Sequence, residues 1–276
     1  VKVALIPPIP ELFRFRQHGD MHLVLNHLLD DPRYTDYYEK CGQAGDWITL
    51  DNSAHEFQSG QPIEDLLVNA IRIRARELVI PDVLFHAMYT VEAGREAFKF
   101  LDGSTLFHAC SPTPRLMVVP QGRDEEDWSW CLHQLVDTAQ AYGFKDLLTI
   151  GLSKDYESYP GFPGGLKHLI QEYCVPYALH HGISTHLLGW TCDWSIVNLS
   201  RGFPCLRSTD TAKPFIYAMK GLRLDHAIIP YVTHRPHDYF DWEPSEKELE
   251  VCTHNVMVFK AAARGIRNMK DQQVSV

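Results

Sequence analysis

Leu116-Met117-Val118-Val119-Pro120-Gln121-Gly122-Arg123-Asp124-Glu125, continued by an amphipathic run to Tyr142 and then by Leu147-Leu148-Thr149-Ile150-Gly151, is the stretch that decides the fold. Leu116–Val119 is a short apolar run stopped by proline and glycine, as expected of a strand buried on both faces. Asp124 is a suitable helix cap, because its carboxylate can accept from the backbone N–H groups that open a helix at Glu125. A second apolar run follows at Leu147–Ile150. Strand, polar turn, helix and strand within about 30 residues make the crossover unit of a parallel sheet.

The same alternation extends in both directions. Val3–Ile6, Trp47–Leu50, Leu78–Val83 and His186–Leu188 read as further strands. Met21–Leu29, Ile63–Arg76, Val91–Phe100 and Leu166–Tyr173 read as helices, with Pro62 opening the second. Asp238–Glu248 reads as an acidic, aromatic loop and Lys247–Arg267 as a closing helix. Six or seven such repeats without a linker, a low-complexity segment or a shift in composition predict one α/β domain over 1–276. The expected architecture is a (β/α)8 TIM-type barrel.

Composition narrows the class. The chain is 45% hydrophobic and 22% charged, which suits a globular protein with a sizeable core. Seven cysteines, an odd number without paired spacing, fit a reducing compartment better than a disulfide scaffold. Val1–Pro10 lacks the basic flank of a signal peptide, and no apolar run approaches the roughly 20 residues of a membrane helix. A cytoplasmic protein without membrane contact is the expectation. The net charge of -9 requires that any nucleic-acid partner be met by local positive charge, at Arg72, Arg74 and Arg76, Arg201–Lys213 or Lys260–Lys270. Solvated helix faces are the better explanation of the first and last of these.

In such a barrel the active site gathers at the C-terminal ends of the strands. Asp51, Asp82, Gln121-Gly122, Gly151, Gly189 and Asp210 each directly follow or close an apolar run. A strand-end aspartate is by itself most often a cap or turn former. Three carboxylates and an amide in register suggest chemistry instead. Two carboxylates can divide glycosidic work between attack on the anomeric carbon and proton transfer. A third carboxylate and an amide can read a base edge, and glycine lets a backbone N–H approach a flat ligand.

These segments, in order, resemble the tRNA-guanine transglycosylases and their DNA-modifying phage and bacterial relatives. Asp51-Asn52-Ser53-Ala54-His55-Glu56-Phe57-Gln58 is similar to the family's Asp-Ser-Gly-Gly-Phe-Gln, with both glycines replaced. Pro81-Asp82 falls at the base-reading aspartate, and Val119-Pro120-Gln121-Gly122 resembles Val-Gln-Gly-Gly with Arg123 at the second glycine. Thr149-Ile150-Gly151-Leu152 resembles Ile-Gly-Gly-Leu, and Leu187-Leu188-Gly189 resembles Leu-Met-Gly. An ungapped alignment sets Arg207 at the nucleophile, whereas Ser208-Thr209-Asp210-Thr211 matches the Ser-x-Asp-Ser of the DNA-modifying branch, so the role passes to Asp210. The tRNA enzymes' three-cysteine, one-histidine zinc site is absent from the sequence beyond Asp210, where only Cys252 and His226, His234, His237 and His254 occur. The resemblance therefore implies a barrel without the zinc subdomain, no metal and no cofactor.

What the resemblance implies about activity is a double displacement on DNA, duplex or single-stranded. Asp210 attacks C1′ of a guanosine, guanine leaves, and a free 7-deazaguanine base, in its 7-cyano form, takes its place. Asp51 serves as general acid and base. Asp82, Gln121, Gly122, Gly151, Gly189 and Trp190 bind the base, with Trp190 and Trp194 available for stacking. The alternatives are a tRNA substrate, a catalytically silent nucleic-acid-binding subunit of the same fold, and a hydrolase of small nucleosides or glycosides. A homodimer is compatible with each.

Overall fold

The computed structural model describes residues 1–189, 205–224 and 235–264. Its strands are β1 (Lys2–Leu5), β2 (His22–Leu25), β3 (Ile48–Asp51), β4 (Glu77–Val79), β5 (Arg115–Val118), β6 (Leu148–Ser153), β7 (Ser184–Leu188) and β8 (Leu206–Thr211). They form one eight-stranded sheet in the order β1-β8-β7-β6-β5-β4-β3-β2, so chain neighbours are sheet neighbours and β8 returns to β1. The register is parallel where strands pair, for example Leu50 with Leu78 and Ala4 with Asp210. This is the (β/α)8 TIM-type barrel. The principal helices are α1 (Pro32–Gln43), α2 (Ile63–Ile73), α3 (Ala87–Gly103), α4 (Glu125–Ala141), α5 (Val175–His181), α6 (Lys213–Met219) and α7 (Glu246–Ala263).

Contacts divide the chain into two compact units, Val1–Met21 with Leu188–Val276, and His22–Leu187. In the larger, the strands are buried runs that combine apolar residues, such as Leu116, Met117 and Val118, with buried polar ones, such as Thr49, Glu77 and His186. Amphipathic helices cover them through Leu66, Leu67 and Ile73 of α2, Phe98 and Leu101 of α3, and Leu132 and Leu135 of α4. Asp124 caps α4 as expected, its carboxylate accepting from Asp127 N–H at 2.9 Å. In the smaller unit Val3 and Leu5 of β1 pack with Phe215 and Tyr217 of α6 and Val256 and Phe259 of α7. Ser245 and Glu248 form a reciprocal capping box that opens α7.

Two readings of the sequence are corrected. The helix expected over Met21–Leu29 is instead β2, followed by a 3-10 turn at Asn26–Asp30. Because β2 is buried at all four positions, it shows no alternation, and its leucines imitate a helical stripe. The following helix, α1, went unread although Asp31 caps it and Pro32 occupies its first turn. The loop expected through Glu248 shortens as well, since α7 already begins at Glu246. Among the described residues no helix is long and apolar enough to cross a membrane, and none of the six cysteines described is in a disulfide.

Candidate active site

Asp82 lies three residues beyond β4 and Gln121 three beyond β5, and the two side chains meet. Gln121 Nε2 donates to Asp82 Oδ2 at 2.6 Å. Asn52 Nδ2 donates to Asp82 Oδ1 at 2.7 Å and also reaches Ile80 O at 2.8 Å. Asp82 is buried, and burial pushes its carboxyl from 3.8 up to about 6, against the lowering effect of the two amide donors. Two N–H groups thus hold a carboxyl group that stands close to changing charge near neutrality.

The amide of Gln121 is oriented from behind. Its Oε1 accepts from Tyr156 OH at 2.8 Å and from Phe85 N–H at 3.1 Å, which leaves Nε2 facing Asp82. Tyr156 OH in turn accepts from Gly122 N–H at 3.0 Å. A Cβ on Gly122 would sit 2.3 Å from the backbone nitrogen of Trp128, so glycine is required for the turn to lie against the start of α4. Phe85 adopts a left-handed backbone with φ of 60°, uncommon for an aromatic residue, and its ring stacks on Tyr159 at 4.1 Å with 6° between planes.

Asp51 is the last residue of β3. Its Oδ2 accepts from Ser53 N–H at 2.9 Å, and Ser53 itself has φ of 60°. Ser53 therefore occupies a left-handed position where the resembling motif has its first glycine. The strain is compensated by the hydroxyl, which lies 2.9 Å from His27 Nδ1. Beyond this turn His55 Nδ1 lies 3.3 Å from Asp155 Oδ2, tying the segment after β3 to the one after β6. Burial raises the Asp155 carboxyl, but the bond and charge of His55, with Lys154 and Ser153, outweigh it and hold the group below its ordinary value.

Asp210 is the fifth residue of β8 and is buried. Gly189, the residue after β7, donates its N–H to both carboxylate oxygens at 3.0 Å. Gly189 has φ of 65°, which a residue with a Cβ adopts only under strain. Gly151 falls inside β6 rather than in a turn after it, and is buried. Trp190, together with Trp194, His226 and His234, lies outside the described residues.

The structure thus brings Asp82, Gln121 and Gly122 together through Tyr156, sets Asp51 one residue from Asn52 in the same network, and separately pairs Asp210 with Gly189. Asn52, Phe85 and Tyr156 were not anticipated as partners. Asn52 stood in the quoted motif beside Asp51, so adjacency was its only signal. Tyr156 carries none, because nothing local marks a tyrosine whose hydroxyl reaches back 35 residues to Gln121. No protein-family model matches the chain, and no curated protein matches it. The barrel fold is compatible with a glycosyl-transferring or glycosyl-hydrolysing enzyme, as it is with many other chemistries.

Proposed function

We propose that the protein is a base-exchange transglycosylase that replaces guanine in DNA with a 7-deazaguanine. The observation that carries the reading is the Asp82–Gln121 pair, two residues singled out at different strand ends and bonded at 2.6 Å. With Asn52 donating to one oxygen of Asp82 and Tyr156 fixing the Gln121 amide that donates to the other, the remaining lone pairs of the carboxylate present acceptors suited to the N1–H and 2-amino donors of a guanine edge. The raised carboxyl of Asp82 suits a group that follows the base's own protonation.

In this mechanism Asp210 attacks C1′ while Asp51 protonates the departing guanine. The bond from C1′ to guanine N9 breaks as the bond to the Asp210 carboxylate forms. Asp51 then takes the N9 proton of the incoming deazaguanine, whose N9 displaces the aspartate from C1′. The Gly189 N–H, shared by both oxygens of Asp210, holds the free carboxylate in one orientation before the first displacement. The target nucleotide must leave the helical stack to be reached.

The test is exchange of radiolabelled guanine into duplex DNA, single-stranded DNA and tRNA, with Asp210→Ala in parallel. Incorporation into DNA that the substitution abolishes is the expected result, together with a protein–DNA adduct that survives denaturation when no acceptor base is supplied. Exchange into tRNA alone would retain the mechanism and overturn the polymer. The net charge of -9 favours a second reading, a hydrolase of free nucleosides. Release of guanine from nucleosides without exchange into any polymer would establish it.

A further inference from the structure

His22, Cys41 and Asp46 converge at the end of the strands opposite to the residues described above. His22 is the first residue of β2, Cys41 lies in the last turn of α1, and Asp46 precedes β3 by two residues. One nitrogen, one sulfur and one oxygen, from these three side chains, all lie within 4.8 Å of one another. Ligand atoms around a tetrahedral zinc ion sit about 3.2–3.8 Å apart, so this spacing needs only a small contraction to close on a metal. His22 Nε2 already stands 3.0 Å from Asp46 Oδ2, and the imidazole is gripped edge-on by Tyr37 and Tyr38 with ring centroids at 6.3 and 5.6 Å.

From this geometry we infer a zinc-binding site made by His22, Cys41 and Asp46, with a water molecule as the fourth ligand. Three arguments carry it. The donors are of mixed softness, a combination that borderline zinc accepts and that hard cations such as magnesium and calcium do not. The charges close: a thiolate and a carboxylate neutralise the dication, and the imidazole binds neutral, so the buried site holds no net charge. Burial is graded in the useful direction, with Cys41 and His22 enclosed and the Asp46 side chain 28% exposed, which gives the ion an entry path and leaves room for water. On binding, the Cys41 S–H proton passes to solvent as the sulfur–metal bond forms, and no oxidant or reductant is needed.

The site joins the start of β2, the end of α1 and the approach to β3, and it lies away from Asp51, Asp82 and Gln121, so its role is to clip these elements together. It stands independently of the proposed activity. The spacing from His22 to Cys41 to Asp46 matches no short ligand motif, which is why the sequence suggested no metal.

The experiment uses the full chain stripped with a chelator and titrated with zinc or with cobalt. One zinc ion per chain is expected by native mass spectrometry, with a higher melting temperature on addition of zinc. Cobalt is expected to give the intense visible bands of a tetrahedral site and a thiolate-to-cobalt charge-transfer band. Cys41→Ser should abolish the charge-transfer band. His22→Gln and Asp46→Asn should weaken zinc by more than the roughly 10- to 100-fold that loss of an outer-shell partner costs. Failure to bind zinc one-to-one, or binding by Cys41→Ser equal to the parent, would overturn the inference. If Cys41→Ser does not fold, the partly exposed Asp46→Asn decides, since parent-like affinity there overturns it equally.

Discussion

Asp82 shows how a single residue can be costly and useful at once. Its carboxyl ordinarily titrates at 3.8 and here at about 6, because burial disfavours the charge more than two amide donors favour it. Between those values the folded chain holds a proton that the unfolded chain has released, so stability falls as pH rises through this window. The shift corresponds to about 3 kcal/mol between pH 4 and pH 7. Asp82→Asn carries no such charge, and chemical denaturation at a series of pH values should find the parent losing ground to the variant by about that amount as pH rises. A difference that stays flat would mean that water reaches the carboxylate. The residue-level site was legible where one local rule applied: polar residues at strand ends found Asp82 and Gln121. Asn52, Phe85 and Tyr156 escaped it, because their contribution is to aim another side chain across separations of 30 to 36 residues.

At the scale of elements, the strands of the larger unit are tied at their starts by a buried polar group. Glu77, the first residue of β4, accepts from Thr49 Oγ1 at 2.9 Å and from Thr149 Oγ1 at 2.7 Å, so one carboxylate spans β3, β4 and β6. Arg115 at the start of β5 lies 4.0 Å from it and also donates to Leu148 O. Glu77→Ala leaves two buried hydroxyls and a guanidinium without that partner and should cost about 3–5 kcal/mol. Glu77→Gln, which can still bond both threonines, should cost about 1 kcal/mol. Equilibrium urea denaturation measures both, and equal losses would assign the effect to the charge rather than to the bridging geometry. Helix punctuation was legible at Asp124 before α4 and Pro62 before α2, but not at Asp31 and Pro32 at the start of α1, because the run ahead of it already reads as a helix. β2 escaped because its four buried residues run from Met21 into Asn26–Asp30 without a proline or glycine stop, so its leucines join a helix-like stripe, whereas the buried run of β5 is closed by Pro120 and Gly122. The ring order survived that misreading, since a barrel is specified by the repeat and not by any one strand.

For the whole molecule the governing quantity is the net charge of -9, which repels a polyanion at long range. If DNA is the substrate, its phosphates must be met by a few cations close to the strand ends. Among the described residues Arg123 is exposed just beyond β5, 3.2 Å from His86, and Lys154 follows β6 directly. Phe57 and Tyr89 stay 54% and 59% exposed on the segments after β3 and β4, where they can take the stacking that charge does not supply. Counterion release contributes roughly one unit of slope in log affinity against log salt for each phosphate engaged. A binding titration of a short oligonucleotide from low to physiological salt should therefore give a shallow slope of about -2 to -4. Arg123→Ala should reduce its magnitude by about one unit. A slope of about -8 would require a broad basic surface that the charge balance opposes, and would place the phosphate contacts elsewhere on the chain. A slope near zero would mean that no phosphate backbone is gripped, and would move the proposed substrate from polymer to free nucleoside while leaving the base-reading role proposed for Asp82 and Gln121 unchanged.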